Sequence, residues 1–312
     1  IRRFHIRMEG EMKRSSLTIA TTCIAAALLA FAVIGATQGA AQDGTTAAEK
    51  FVPSPIFSPP YPTLPHTFRD LHTIQILCEA PKGAIKRALV PPLEPAGDGD
   101  KFVLLLGWAP DVKEMGFNVH EVAINVPVMY EGKLGTTTLI EYIDSDMGLI
   151  AGREIYGWPK KMAEITWMQH GKTGWSVAAN KMKDQGNIPL VKVDYKITDK
   201  PSNVKWPEMG PTYLVRRIPP AAKTMKTLNQ MICVGCSRPE DSGIPLAAPG
   251  GSAGAGNVKN TNGIATVQFF DGPNDPLTFL GPIKVLDAKM TVMEGSMPGG
   301  LGLGEFIKQW EE

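Results

Sequence analysis

The chain carries almost no net charge, with 32 basic residues against 31 acidic ones over 312 positions. No broad field of one sign is left to draw it to nucleic acid. Metal-ligating residues are also scarce. The five histidines, His5, His66, His72, His120 and His170, show no ligand spacing such as H-x-x-x-H, so no metal site is read from them. Of four cysteines, Cys23 lies in an N-terminal apolar run, leaving Cys78, Cys233 and Cys236, and three cannot all pair within one chain. Cys233-Val-Gly-Cys236 has the spacing of a redox motif but lacks a βαβ setting, so a local disulfide or two reduced thiols is expected. No repeat of 20 to 50 residues is present, which excludes solenoids and propellers.

Glycine and proline, by contrast, are plentiful: 32 and 26 residues, nearly a fifth of the chain. They favour short strands and many turns over long helices. The hydrophobic share of 43% is enough for a sizeable core. At the N-terminus, Lys13-Arg14 precedes an apolar run from Leu17 to Ala36 and a small-residue stretch to Ala41. This is the layout of a secretory signal, with residues 1 to 11 an over-long start. An uncleaved anchor is the alternative, since about 20 apolar residues span a bilayer. Export, to a periplasm or out of the cell, is the expectation, with no stable membrane association after cleavage. Residues 42–65 are proline-rich and read as an extended leader, and the folded domain is expected over 66–312.

Within that domain, Ile74 to Cys78 reads as a first strand and Pro81 opens a short helix that Pro91-Pro92 ends. Phe102 to Leu106 is continuously apolar and is expected to be covered on both faces. Val122, Ile124, Val126 and Val128 alternate with less buried neighbours, so Glu121 heads one face of a strand. Further strands are expected at Leu139–Ile143, Ala163–Met168, Trp175–Ala179, Leu190–Ile197, Val267–Phe270 and Ile283–Val292. A hairpin turns at 169–172, and the apolar face of the last strand shifts from odd to even positions, which requires a bulge. Ile244 to Ile264 reads as one long glycine-rich loop, a surface insertion or a lid. The fold class expected is α+β and β-rich, a closed antiparallel barrel-like sheet with short peripheral helices.

The segment "GREIYGWPKK", residues 152–161, sets two lysines side by side. A strand beginning at Lys160 puts Lys160 and Met162 on one face and Lys161 and Ala163 on the other. A solvated pair at a strand entrance is the ordinary reading of such a dipeptide. "GREIYGWPKKMA", however, resembles the active-site segment of the acetoacetate decarboxylase family, in which the first of the two lysines forms a Schiff base. "ALVPPLEP" (88–95), "HEVAINVPV" (120–128), "PTYLVRRIP" (211–219) and "VQFFDGPNDPL" (267–277) resemble further segments of that family in the same order.

The resemblance implies a cofactor-independent lyase that assembles into homo-oligomers and takes a small-molecule keto acid. It assigns the imine to Lys160 and proton transfer to Glu121. Lys161 becomes the neighbouring cation, more an anchor of the segment than a source of activation. Arg69, in "HTFRD", becomes a contact for the substrate carboxylate, and Trp158 and Met162 become pocket walls. Arg153 and Glu154 are expected to hold the turn by ion pairing.

The chemistry follows from the residue types. A β-keto acid loses CO2 readily once its carbonyl becomes a protonated imine, and only a neutral amine forms one. At an ordinary pKa of about 10.4, roughly one lysine in 2,500 is neutral at pH 7, a deficit of about 4.6 kcal/mol. Desolvation or a nearby cation can lower that pKa, and acetoacetate decarboxylase is the usual illustration of the second cause. Here alternation turns Lys161 away, so desolvation by Trp158, Met162 and Leu139 is expected to dominate. One departure stands out: family decarboxylases carry a second carboxylate in the strand matching Phe102–Leu106, and here that strand has no acid. This leaves room for a more apolar keto acid, for imine-based aldol or dehydration chemistry, or for a binding protein on the same scaffold.

Overall fold

A computed structural model describes residues 54, 55, 57–61, 66–112, 117–236, 258–297 and 304–312. All fall within one compact unit, Pro53–Glu312. The signal expected over 1–41 and most of the leader expected over 42–65 lie outside the described residues.

The chain runs through β1 (His66–Glu79), α1 (Ala84–Ala88), β2 (Glu94–Pro95), β3 (Lys101–Val112), β4 (Phe117–Tyr130) and β5 (Lys133–Ile143). Helix α2 (Asp146–Ala151) continues into a π-helical turn, Gly152–Tyr156, followed by β6 (Lys160–Met162), β7 (Glu164–His170), β8 (Gly174–Asn180) and β9 (Pro189–Ile197). Then come β10 (Thr212–Ile218), β11 (Leu228–Val234), β12 (Val258–Phe269), the short β13 (Asp271–Gly272) and β14 (Asp275–Pro276), β15 (Lys284–Met297) and β16 (Gly304–Glu311).

The large sheet follows the order β16-β11-β10-β5-β4-β3-β1-β15-β12-β9-β8-β7, with β2 added on β4 and β6 on β5. The expected closed barrel is therefore corrected to an open, twisted sheet ending at β16 and β7. One cause lies at β5, whose outer edge is divided between β6, parallel over three residues, and β10, parallel at Thr212↔Thr136. The sheet branches there instead of closing. The β7 end reaches back to the middle of the sheet through side chains, with Trp167 of β7 lying 5.9 Å from Trp108 of β3 and 6.4 Å from His120 of β4, ring centre to ring centre.

Alternation sorts the residues into two faces. Ile74, Ile76, Phe102, Leu104, Leu106, Val122, Ile124, Val126, Ala288 and Met290 share one core. The reverse face of β3 is also covered, with Val103 and Leu105 buried, as a continuous apolar strand requires. The bulge foreseen in the last long strand is present: Leu77 pairs with Asp287 but Cys78 with Val285, leaving Leu286 over. The 170–174 hairpin is also present. The expected loop is shorter than 244–264, because β12 already begins at Val258; residues 244–257 lie outside the described set. Strands β10, β11 and β16 and helix α2 were not expected. Cys233 and Cys236 form a disulfide, whereas Cys78 is free and buried. Among the described residues no helix is long and apolar enough to cross a membrane.

At Gly263 of β12 an added Cβ would overlap the buried ring of Tyr195. Gly263→Ala should therefore destabilise the fold by about 1–3 kcal/mol, the usual range for overpacking, read as a lower urea midpoint at unchanged slope.

Candidate active site

Two cross-strand rows build the site. Register joins Leu105 to Ala123, Ala123 to Glu141 and Glu141 to Lys160, and joins Gly107 to Glu121, Glu121 to Ile143 and Ile143 to Met162. Residues opposed in this way project from the same face, so Lys160, Glu141 and Glu121 converge on the face turned away from the main core. Lys160 Nζ lies 2.6 Å from Glu141 Oε1 and 3.8 Å from Glu121 Oε2. The lysine side chain is 12% exposed and that of Glu141 only 5%.

The arrangement needs two glycines. A Cβ at Gly107 would stand 2.8 Å from Glu121 Cγ, and one at Gly152 would overlap Lys160 Cε. Each lets a charged arm lie flat against the backbone. Several hydrogen bonds fix the segment. Ser145 caps α2 by accepting from Gly148 N, and Arg153 Nη1 donates to the Lys160 carbonyl at 3.1 Å. Arg216 Nη1 donates to the carbonyls of Glu154 and Ile155 at 2.5 and 3.2 Å. Gly157 takes a φ of 84°, where a Cβ would also strike Arg216. Arg153 thus holds the turn through a carbonyl, whereas an ion pair was expected. Beside Glu121, His120 donates its backbone N–H to Asp144 Oδ1 and sets ring Nδ1 2.6 Å from Oδ2.

Electrostatics differ from the sequence expectation. Burial pulls the Lys160 ammonium downward, but Glu141 and Glu121 outweigh it, so its pKa lies above the ordinary value. The dry setting acts more plainly on the acid. Burial pushes the Glu141 carboxyl up to about 8, helped by Glu121 and opposed by Lys160.

The other expected residues scatter. Lys161 points to the opposite face, its Nζ 2.5 Å from Asp275 Oδ1. Glu121 sits within β4, which starts at Phe117, rather than at its head. Met162 follows Lys160 on the same pleat, opposite Ile143. Trp158 packs edge-on against Tyr156, 5.2 Å between ring centres, in a separate cluster with Leu214 and Val234. Leu139 packs against the main core. Arg69 lies in β1 opposite Asp111, and its side chain is outside those described. Glu141 was missed. Among the described residues no group of three or more His, Cys, Asp or Glu could hold a metal ion.

Fold and site together define a β-rich α+β protein with a buried lysine held between two carboxylates. The chain belongs to the acetoacetate decarboxylase family: residues 53–303 match acetoacetate decarboxylase (ADC). It is 30% identical over 121 residues to the acetoacetate decarboxylase of Acidiphilium cryptum, covering 39% of this chain and 48% of that protein. The match thus spans about half the length of such curated relatives. Its fold is similar to that of Legionella pneumophila acetoacetate decarboxylase, with a TM-score of 0.64 at 18% identity over 86% of this chain and 99% of that one. It also resembles the enduracididine biosynthesis enzyme MppR, complexed with the condensation product of pyruvate and imidazole 4-carboxaldehyde (TM-score 0.59, 15% identity, 85% and 98% covered). The curated relatives it matches include the acetoacetate decarboxylases of Acidiphilium cryptum and Clostridium botulinum, which are lyases.

Titration of the Lys160 amine, followed by pH-dependent competitive acetylation, should separate the electrostatic causes. Glu141→Gln should lower its pKa, because burial stays while the principal opposing carboxylate goes. Lys161→Met should leave it nearly unchanged, since that charge is matched by Asp275 on the other face.

Proposed function

We propose that this protein decarboxylates a β-keto acid through an imine on Lys160, with Glu141 and Glu121 as its proton carriers and no cofactor. The observation that carries the reading is the 2.6 Å contact between a nearly buried lysine and a nearly buried carboxylate. Glu141 Oε1 is close enough to Lys160 Nζ to take its proton directly, and that transfer yields a nucleophilic amine without bulk solvent. The amine adds to the keto carbon, and the resulting carbinolamine loses water as a carboxylic acid returns the proton. Cleavage of the bond to the carboxylate then sends its electron pair into the iminium, releasing CO2 and leaving an enamine. Glu121, at 3.8 Å from Nζ and more exposed than Glu141, takes up one proton from solvent water and delivers it to the enamine carbon. Water then hydrolyses the imine and frees Lys160.

A second reading retains the imine but makes or breaks a carbon–carbon bond with an aldehyde. It is favoured by the acid's position on β5, a departure from the family pattern, and by the condensation product held by the MppR relative. Export and homo-oligomeric assembly complete the proposal.

Borohydride trapping decides among these. With the right keto acid we expect one adduct per chain on Lys160 and release of CO2. An adduct without CO2 supports the second reading, and no adduct with any keto acid or aldehyde sinks both.

Because Glu141 must be ionised to accept the lysine proton, kcat/KM should rise with pH through a limb near the carboxyl's value of about 8. Glu141→Gln should remove that limb along with most activity. Gly152→Ala, whose Cβ displaces the lysine arm, should cost at least about 100-fold in kcat/KM at unchanged melting temperature, as misplacement by about 1 Å can.

A further inference from the structure

We infer that Asp275 is the positioning residue that decides which of the two adjacent lysines becomes the nucleophile. The inference rests on the lysine-imine reading and concerns a residue on the far side of the sheet from the reacting atoms.

Strand β6 is three residues long and, among the described residues, pairs with β5 alone. Glu141 stands opposite Lys160, and Tyr142 opposite Lys161. A slip of one residue would turn Lys161 toward Glu141 and Lys160 away from it. Only Met162 and the buried Ala163 oppose the slip through the hydrophobic pattern, because the two lysines that would change places are identical. Something else must tell Lys160 from Lys161.

Asp275 supplies that distinction. It is fully buried, and its Oδ1 lies 2.5 Å from Lys161 Nζ and accepts from the Tyr142 hydroxyl at 2.8 Å. Tyr142 and Lys161 are register partners, so one oxygen ties both strands at the same rung. Lys181 Nζ lies 2.6 Å from Oδ2, and Lys161 donates a further hydrogen bond to the Asn274 carbonyl at 2.8 Å. Asn274 sits between β13 and β14 at a φ of 61°, a left-handed turn conformation that asparagine tolerates. That turn presents the Asn274 carbonyl and the Asp275 carboxylate together. A slipped strand would strip a buried carboxylate of one of its cations, a costly loss. Two acids on opposite faces thus each claim one lysine, and the sheet between them fixes which.

The test is to trap the imine with a turned-over keto acid and borohydride in the wild type and in Asp275→Asn. Fragment-ion mass spectrometry then assigns the adduct to position 160 or 161. The wild type should carry it on Lys160 alone. Asp275→Asn should move a tenth or more to Lys161 and lower kcat by about 10-fold or more with a smaller change in KM. Tyr142→Phe keeps both lysines paired and protects against an outcome in which Asp275→Asn does not fold; it should show the same migration to a smaller extent. In a Lys161→Met background, Asp275→Asn should cost no more than about 2-fold further in kcat, because its effect runs through Lys161.

Folded Asp275→Asn and Tyr142→Phe with all adduct on Lys160, or equal kcat losses in both backgrounds, would overturn the inference. If the wild type forms no adduct, the imine reading falls by itself. The register claim is then judged by competitive acetylation, which needs no turnover: the contrast in reactivity between Lys160 and Lys161 should collapse in Asp275→Asn or Tyr142→Phe, and an unchanged contrast refutes it.

Discussion

The contact between Lys160 and Glu141 is the constraint on which the rest of the site depends. A buried charge is tolerated only beside its partner, and these two groups come from neighbouring strands at one rung of the sheet. The 2.6 Å separation therefore demands a defined register between β5 and β6. It also demands a flat approach of the lysine arm over Gly152 and a turn that delivers Lys160 at the right height. Arg153 satisfies the last demand by bonding the Lys160 carbonyl, Arg216 by bonding carbonyls of the π-helical turn, and Gly157 by letting the end of that turn pass close to β10. Burial then acts on a pair instead of a lone amine. It raises the acid to about 8, closer to the range of the amine.

The opposite face of the same strands carries a second buried charge cluster with a different balance. Burial pushes the Asp275 carboxyl up, but Lys161, Lys181 and Tyr142 together outweigh it, and its pKa ends below the ordinary value. Asp275 is thus held as an anion by two cations, an arrangement suited to anchoring. Lys160 faces two acids, and only Glu141 lies within hydrogen-bond reach of its amine. The neighbouring lysines are chemically equal in sequence and unequal in the fold because a pleated strand gives them opposite surroundings.

Much of this architecture was legible in the residues, and the failures have specific causes. Strands with clear alternation or continuous apolar runs, such as those around Ile76, Leu104, Ile124 and Val193, were readable because one or both faces are buried. The opposed directions of Lys160 and Lys161 followed from the two-residue period alone. Closure of the sheet was not readable, since it turns on how β5 shares its edge with β6 and β10, two parallel contacts joining segments distant in sequence. β16 was missed because it is a half-exposed edge strand with weak patterning. Glu141 follows a bulge in β5. Ile124 pairs with Ile140 but Asn125 with Thr138, so Leu139 is the extra residue. Counting in twos from Thr138 would place Glu141 on the wrong face. The glutamate does stand in an apolar run, "LIEYI", and a lone acid there is the signal that could have marked it.

On the proposed reading, Glu141 stands in for the acid that β3 lacks. What imine chemistry requires is a carboxylate within hydrogen-bond reach of the amine on a dry face, and neighbouring strands of one sheet offer several positions that meet this condition. Here β3 gives the site Gly107, which makes room for Glu121 on β4, while Glu141 comes from β5 on the far side of β4. Moving the acid leaves the proton inventory of the site intact but changes its shape. The strand that carries no acid presents Leu105 and the bare backbone of Gly107 to the same face, so the approach to the lysine from that side is apolar. Under the proposed lysine chemistry, such an exchange would favour a substrate with a more apolar side chain.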